Sequence, residues 1–364
     1  MAPSYNRIIQ TLSSLKLTVV CLIYLIFLTI FGTLYQIDNG LWAAKQRYFH
    51  SWIFLAWKVF PVFGGATVMS VLTINLAVAS VTMIKHIASK IGLLLVHYGL
   101  IVLLAGAGIT HLLTIESFVT LAENGSTNVS TAYHTWELAL LKPLSPTETR
   151  VTAIDIEELA KIKSIAFADG AIALTQHVYF PNSRVDRAKP PRLVKLGREK
   201  DPEKNLPGCV VTVAGDAAPE RKLLLHASTA PSAPIQTKAG PMHLVLRKKH
   251  YLLPFDITLM EFTKEVHGGT DIPSSFESTV ALTDANLSRD IRIYMNNPLR
   301  YDDLTFYQAS YAVDPATGRE MSTFAVVKNA GRLLPYISSI AVFLGLVLHF
   351  ALMLVRSSHS TTKF

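Results

Sequence analysis

The stretch IGLLLVHYGLIVLLAGAGITHLL, residues 91–113, contains 23 residues and no Asp, Glu, Lys or Arg. A helix needs about 20 apolar residues to cross the hydrocarbon core of a bilayer, so this stretch predicts a membrane-spanning helix. Two histidines, His97 and His111, interrupt the apolar run. Three glycines recur at intervals of seven and would form a ridge suited to close helix packing. They are Gly92, Gly99 and Gly106.

Three more stretches are long, apolar and uncharged: Leu17–Tyr35, Ala66–Ile84 and Pro335–Val355. The first is longer than the apolar core of about 7–15 residues of a signal peptide and lacks a cleavage site, so we interpret it as an uncleaved anchor. The sequence therefore predicts a membrane protein with four transmembrane α-helices, three N-terminal and one C-terminal. A large exported antiparallel β domain would lie between helices 3 and 4. The predicted regions are 1–113, 114–331 and 332–364, the last ending in a short cytoplasmic tail.

Composition and charge agree with this class. Half of the chain is hydrophobic and 16% is charged, whereas soluble domains carry about 25% charged residues. The net charge of +8 belongs to the membrane-flanking segments, since residues 114–331 hold 24 Lys and Arg against 25 Asp and Glu. A basic excess in that position is typical of orientation by positive loops and does not indicate nucleic-acid binding.

Orientation follows from the same charges. With the N-terminus inside, the inner segments carry six basic residues and no acidic one, as the positive-inside rule requires. Both termini are then cytoplasmic, and the insert is periplasmic in a multi-pass protein of a bacterial inner membrane. WIFLAW, residues 52–57, is too short to span and is expected to lie flat at the outer surface. The inner basic residues are Arg7, Lys16, Lys85, Lys90, Arg356 and Lys363.

The exported insert has mostly short alternating patterns separated by Gly, Pro and Asn, which favour a sandwich-like antiparallel domain. Examples are Trp136–Leu140, Val211–Val213, His243–Leu246, Phe255–Met260, Ile291–Met295 and Phe324–Val327. Residues 155–163, DIEELAKIK, are the one good helix candidate. No catalytic motif appears, and the two cysteines, Cys21 and Cys209, cannot form a CxxC pair or a four-ligand zinc site. The sequence thus assigns no catalytic residue.

Two histidines lie at the same depth in their predicted helices. His97 follows Lys90 by seven residues and His349 precedes Arg356 by seven, so both lie about 10 Å inside the inner boundary. An ionisable residue there is costly and is a functional hypothesis by default, and neutral imidazole is a common haem axial ligand. The glycine ridge lies nearly opposite His97, so this ring is expected to face a cofactor or another subunit. A hydrogen bond to a neighbouring helix remains the alternative for both histidines.

A two-haem electron-transfer protein is disfavoured by the spacing. His97 and His111 are 14 residues apart, about 21 Å along a helix. Two bis-histidine haems would need the same pair on a second helix, and 14 positions outward from His349 stands Pro335, which cannot ligate iron.

Several motifs resemble one family. They are SSLKLTVV with GTLYQ in the first helix, VHYGLIVLLAGAG in the third, LPFDITLMEF, and NNPLRYDDLTFYQASY before the last helix. These motifs are similar to the ResB (CcsB) family of System II cytochrome c biogenesis, and the resemblance runs from about Leu12 to Leu348. The most specific residues are Asn297, Pro298, Tyr307 and Gln308.

The resemblance implies a subunit that works with a ResC/CcsA-type membrane protein to move haem and deliver it to the CxxCH motifs of exported apocytochrome c. The family's haem-ligating histidine on the third helix matches His97, which would be an axial ligand to the iron of a transient haem b shared with the partner. His349 is a second candidate haem-binding residue and departs from the family's pattern. The chain would be a non-catalytic or accessory subunit of a haem lyase complex. The basic stretch 184–200 is most simply a solvated loop, with contact to lipid headgroups or haem propionates as the sharper alternative.

Two other functions remain open at this point. The chain could be a non-catalytic membrane anchor and apocytochrome chaperone, with all haem held by the partner. It could also be a b-type electron-transfer subunit with a single haem, ligated by His97 and His349.

Overall fold

The computed structural model describes residues 3–56, 59–83, 87–145, 148–167, 172–186, 190–199, 201–267, 273–285, 287–314 and 317–361. The chain forms two compact units, one of Met1–Ile115 with Asn329–Phe364 and the other of Glu116–Lys328. The first unit is mostly helical and the second mostly strand.

The helices of the first unit are α1 (Pro3–Leu12), α2 (Leu15–Ala44), α3 (Gly65–Met83), α4 (Ile87–Leu113) and α6 (Leu334–Thr361). Among the described residues, four helices are long and apolar enough to cross a membrane, and these are the helices that contain the predicted spans. Much of their apolar surface is exposed, as for Phe343 and Leu354 at 65% and 72%. Exposed apolar side chains in this number are typical of helices solvated by lipid rather than by water.

The helix bounds differ from the apolar runs in the sequence. α2 continues past the predicted end at Tyr35, because the polar residues that follow keep the helical hydrogen bonds although they end the apolar run. A kink at Gly40, with φ of 80°, lies in this extension. α4 begins at Ile87, before the predicted start, and is kinked at Lys90. Residue 84, the predicted end of the second span, lies outside the described residues.

Residues 53–56, within the segment that the sequence predicts to lie at the outer surface, form one strand of a β-hairpin. β1 (Ile53–Ala56) pairs with β2 (Phe60–Phe63) in antiparallel register. A π-helical turn, Lys45–Phe49, connects α2 to this hairpin. Trp57, one of its two predicted anchors, lies outside the described residues.

A buried asparagine fixes the joint between α1 and α2. Asn75 on α3 is 2% exposed. Its amide donates to the carbonyls of Leu12 and Ser14, and its oxygen accepts from Thr18 at 2.7 Å. The amide therefore satisfies the carbonyl of Leu12 at the break between the two helices and adds a bond to the carbonyl of Ser14, which also accepts from the first turn of α2.

The described residues of the second unit form a short α-helix, a 3₁₀ turn at Pro202–Lys204 and sixteen strands. α5 (Ile156–Ile162) confirms the predicted helix, with Asp155 at its N-terminus. The strands are β3 (Ile115–Ala122), β4 (Ser126–Pro143), β5 (Thr149–Asp155), β6 (Ser164–Phe167), β7 (Ile172–Phe180), β8 (Ser183–Asp186), β9 (Arg192–Lys195), β10 (Gly208–Gly215), β11 (Ala218–His226), β12 (Ile235–Thr237), β13 (Gly240–Val266), β14 (Pro273–Thr283), β15 (Ser288–Tyr294), β16 (Leu299–Tyr301), β17 (Leu304–Val313) and β18 (Glu320–Lys328).

The predicted large antiparallel sheet is present. Ten strands form one sheet, with the path β15-β14-β13-β4-β3-β18-β17-β16 and with β5 and β12 paired to β4 and β13. A four-stranded sheet has the order β11-β10-β7-β6. The register shift in β13 between Leu252 and Ile257 coincides with Pro254, which has no N–H to donate to a ladder.

Two hydrophobic cores occupy this unit. The first lies between the four-stranded sheet, α5 and the Leu138 and Leu244 stretches of the large sheet, as in the predicted sandwich. The second lies inside the large sheet, which curls so that β15 contacts β17. Phe306 and Phe324 are fully buried in this second core. β13 contributes to both cores, since Leu244 lies in the first and Ile257 in the second.

The basic stretch 184–200 is not a simple solvated loop. β8 and β9 pair as a two-stranded ribbon in which Arg184 lies opposite Val194. Arg192 donates to Asp186 at 3.0 Å, so part of the stretch's positive charge is paired within it. Residues 187–189 and 200 lie outside the described residues.

Candidate functional site

His97 lies on α4 and is held by the neighbouring helix α3. Its ring Nδ1 is 3.3 Å from the hydroxyl of Ser80. That hydroxyl donates its only proton to the carbonyl of Leu76 at 2.8 Å, so towards His97 it can act only as an acceptor. In this pairing a neutral His97 donates from Nδ1 and keeps its lone pair on Nε2; a serine proton turned towards His97 would give the other tautomer. The first of these is the tautomer that ligates a metal through Nε2 with Nδ1 oriented by a second group.

The glycine ridge of α4 packs against α6, as the sequence predicted. A Cβ on Gly99 would lie 2.7 Å from a methyl of Val342 and 3.1 Å from the carbonyl oxygen of Ser338. A Cβ on Gly92 would lie 2.5 Å from the backbone nitrogen of His349. Only glycine permits this approach of two backbones. His97 thus lies away from the close contact between α4 and α6, and it contacts Ser80 of α3 instead.

The structure does not bring His349 to His97. The backbone of His349 packs on Gly92, and its ring contacts Phe350 with 5.6 Å between centroids. Gly92 and His97 are five residues apart, which is about 140° around a helix. The backbone of His349 therefore meets α4 on a different side from the one that bears His97. The predictions that each histidine binds haem remain predictions.

His111 has a partner that sequence reasoning missed. The rings of His111 and His50 are in contact, with centroids 4.1 Å apart. His50 follows the π-helical turn directly and is 61 positions away in the sequence, so no local pattern connects the two residues. Two sequence signals accompany this contact. His50 stands among the aromatic residues Phe49 and Trp52, and a glycine pair follows at residues 64–65.

The family-like motif of residues 296–311 folds at one end of the large sheet. Asn297 forms a bridge with Tyr294, and Leu299 begins the hairpin of β16 and β17. Gln308 accepts a hydrogen bond from Ser278 at 2.8 Å and donates to Ser322 at 3.0 Å. Both serines are fully buried. Gln308 therefore links β17 to β14 and β18 by hydrogen bonds, so this motif residue has a structural role. Tyr307 is 43% exposed.

The titratable groups of the sheet unit show structural rather than catalytic environments. Burial raises the pKa of the Cys209 thiol to about 12, so this cysteine is an unreactive small apolar residue. Burial, with the positive charge of Arg247, lowers the pKa of His250 to about 4. Arg247 itself pairs with the buried Glu137 at 2.9 Å. Within the part of the chain that the structure describes, no three His, Cys, Asp or Glu residues are grouped as a metal site.

The segment that contains the motif of residues 296–311 is similar to a known family. The ResB-like family matches residues 228–319, which include β13 to β17. Protein NrfI of Wolinella succinogenes is 33% identical over 98 residues, which are 26% of this chain and 10% of that protein. The match thus spans a tenth of that relative's length. The structure of the Bacillus subtilis inhibitor of motility (MotI/DgrA) covers 58% of this chain and 96% of its own at 12% identity, with a TM-score of 0.11, which carries no fold relationship.

The part of the chain that the structure describes combines four helices long and apolar enough to cross a membrane with a large antiparallel sheet unit. Over residues 228–319, within the sheet unit, the chain is similar to the ResB-like family.

Proposed function

We propose that this chain is the ResB-type membrane subunit of a System II cytochrome c synthetase. In this role it helps to move or orient haem and deliver it to the CxxCH motifs of exported apocytochrome c, together with a ResC/CcsA-type partner. The helical unit spans a bacterial inner membrane and the sheet unit is periplasmic. Haem is the substrate of the assembly, and the chain carries it transiently.

The observation that carries this proposal is the hydrogen bond from His97 to Ser80. With the serine proton on the carbonyl of Leu76, the contact favours the neutral tautomer with a lone pair on Nε2, which is compatible with a haem iron ligand. A histidine ligand that is oriented by a second group is the usual arrangement in metal sites. A second ligand to the iron would come from the partner, since the backbone of His349 meets α4 on another side.

The packing of the helices supports a site shared with another subunit. α6 covers the glycine side of α4, and α3 covers the side of Ser80. His97 is only partly buried between them, and Tyr98 beside it is 45% exposed. A polar ring that the chain's own helices leave partly open to the bilayer is costly unless another molecule covers it.

The sheet unit supplies orientation rather than acid, base or nucleophile. Thioether formation needs reduced iron and thiols placed close to the vinyl groups of haem, and both requirements are met by positioning and redox control. The inert Cys209 does not reduce the apocytochrome. The sheet unit is accordingly assigned to holding the apocytochrome.

An optical spectrum of the complex tests the proposal. The chain is purified with its ResC/CcsA-type partner, as wild type and as the variants His97→Ala and His349→Ala. We expect a b-type signal that disappears in His97→Ala and remains in the matched control His349→Ala. Unchanged pigment and unchanged maturation of c-type cytochromes in His97→Ala would contradict the proposal.

The anchor function is the second candidate. It is favoured by the same hydrogen bond, because a histidine already bonded to Ser80 can be a satisfied structural residue. The anchor function predicts that neither His97→Ala nor His349→Ala changes the b-type signal of the complex. It also predicts that deleting the sheet unit alone reproduces the effect of deleting the whole chain. The electron-transfer alternative needs His97 and His349 on one iron, and the backbone of His349 meeting α4 on a different side from His97 argues against it.

A further inference from the structure

A cleft of about 580 Å³ lies at the C-terminal end of α4, away from His97. Its walls are the π-helical turn and the residues after it, α3 and α4. Most of its lining is apolar, and the polar groups include the imidazoles of His50 and His111. Cofactor sites have this size and character, an apolar pocket with few convergent polar groups.

The pair of histidines is unusual for a purely structural contact. The rings touch at 4.1 Å between centroids, yet His50 Nδ1 is buried and has no hydrogen-bond partner among the described residues. Buried polar atoms are nearly always paired, so this unpaired nitrogen shows that His50 is held in its place by packing and not by a hydrogen bond of Nδ1. His111 is exposed beside it, and its ring is therefore the one that a ligand can reach.

The backbone is built to hold His50 at this place. A Cβ on Gly65 would lie 2.9 Å from the carbonyl oxygen of Phe49, and a Cβ on Gly64 would collide with the backbone of Ser51. The two glycines thus let the start of α3 press against the residues on both sides of His50. A π-helical turn directly before it is a feature common at functional sites.

The cleft fits a planar macrocycle better than a bare metal ion. Zinc requires four donors, and the described residues offer two histidines here and no group of three. A bare ion also needs far less than 580 Å³. Small residues of α3 and α4, among them Ala66, Ala107 and Gly108, line part of the cleft. A Cβ on Gly108 would meet nothing within 4 Å. Rings whose centroids are 4.1 Å apart leave no space for an atom between them, so a single imidazole would ligate the iron.

We propose that this cleft is a second haem-binding site, in which His111 ligates the iron and His50 positions the His111 ring. The inference rests on the proposed function, because it makes this subunit carry haem at two places. His97 and His111 are 14 residues apart on the straight part of α4, about 21 Å along its axis. One helix then bears a haem ligand near each of its ends.

Hemin titration of the full chain in detergent micelles, without the partner, tests the proposal. The background variant His97→Ala/His349→Ala removes both ligands predicted from the sequence, so the result does not depend on the proposed function. We expect saturable binding of one hemin per chain with a high-spin ferric signal, and carbon monoxide binding after reduction. His111→Ala should weaken hemin binding by at least the order of 10–100-fold that is typical of groups supporting a metal site.

Two further variants separate the cleft from general effects. Gly108→Leu fills open space without a backbone clash and should also weaken hemin binding, whereas His50→Ala should weaken it less than His111→Ala does. Gly197→Leu is the matched control, since a Cβ there likewise meets nothing within 4 Å, and it should bind hemin as the background does. Equal hemin binding by the background, His111→Ala and Gly108→Leu would overturn the proposal. Tight Zn²⁺ binding that requires His111, in a chain that does not bind hemin, would overturn the assignment of haem.

Discussion

The Nδ1 atom of His97 lies 3.3 Å from the hydroxyl oxygen of Ser80 on the adjacent helix, and this contact orients the imidazole ring. Ser80→Ala removes the acceptor and lets the ring turn. We expect haem affinity of the complex with its partner to fall on the order of 10–100-fold. The measurement is the b-type absorbance of the purified complex at limiting haem.

Thr82→Val is the matched control for Ser80→Ala. Thr82 lies two residues further along α3, is exposed, and donates only to the backbone carbonyl of Ala79. It should leave the absorbance unchanged. If Ser80→Ala also leaves it unchanged, the hydroxyl does not orient the ligand.

The contact between α4 and α6 predicts that the loss of stability caused by substituting a glycine of α4 depends strongly on which glycine is substituted. Gly99→Val places a side chain where a Cβ alone would lie 2.7 Å from Val342, and overpacking of this kind costs about 1–3 kcal/mol. Gly108→Ala meets nothing within 4 Å and should be neutral or slightly stabilising. Thermal unfolding of the two full-length variants in detergent compares them. Equal loss of stability would mean that the ridge does not set the helix distance.

The hydrogen bonds of Gln308 predict that this motif residue contributes to the folding stability of the sheet unit. Gln308→Leu leaves the hydroxyls of Ser278 and Ser322 buried without the amide that bonds both. We expect a loss of about 2 kcal/mol in the free energy of unfolding. Gln236→Leu, at an exposed position of β12, is the control and should change stability little. Denaturant unfolding followed by tyrosine and tryptophan fluorescence would reveal the difference.

His250 predicts an acid-sensitive step in the stability of the sheet unit. Burial and Arg247 lower its pKa from 6.5 to about 4, so between these values the unfolded chain binds a proton that the folded chain does not. Stability therefore rises with pH across this window and is lost as pH falls from about 6.5 to 4. His250→Gln should reduce that loss by ~2 kcal/mol, measured as the difference between unfolding curves at pH 7 and pH 4.5. Parallel pH dependence in both proteins would refute this assignment.

The helices and the antiparallel character of the insert could be predicted because each depends on local periodicity. The 20-residue apolar runs and the alternating strands are such signals, and so is the spacing of Gly92, Gly99 and Gly106, which are held against α6. Hydropathy did not give the true ends of α2, since polar residues such as Asp38 stay helical beyond the apolar run. The hairpin of β1 and β2 was missed because its strands are only four residues long.

The site was only partly accessible from sequence. The depth of His97 follows from helix rise, but its contact with Ser80 depends on how α3 packs on α4, which no spacing specifies. The meeting of His50 and His111 depends on a turn of the chain at Gly64 and Gly65 that brings a distant segment back. The ribbon of β8 and β9 was hidden by its basic composition, which resembles that of a loop.

β13, which runs from Gly240 to Val266, contributes Leu244 to one core and Ile257 to the other. Because β13 is shared, unfolding of one core removes a strand from the other. We therefore expect the two cores to unfold in one cooperative event. Amide protons at both ends of this strand should then exchange with solvent at a common slow rate. A destabilising substitution at either end of β13 should then speed amide exchange at the other end. Under mechanical load, the sheet unit should unfold in a single step rather than in two.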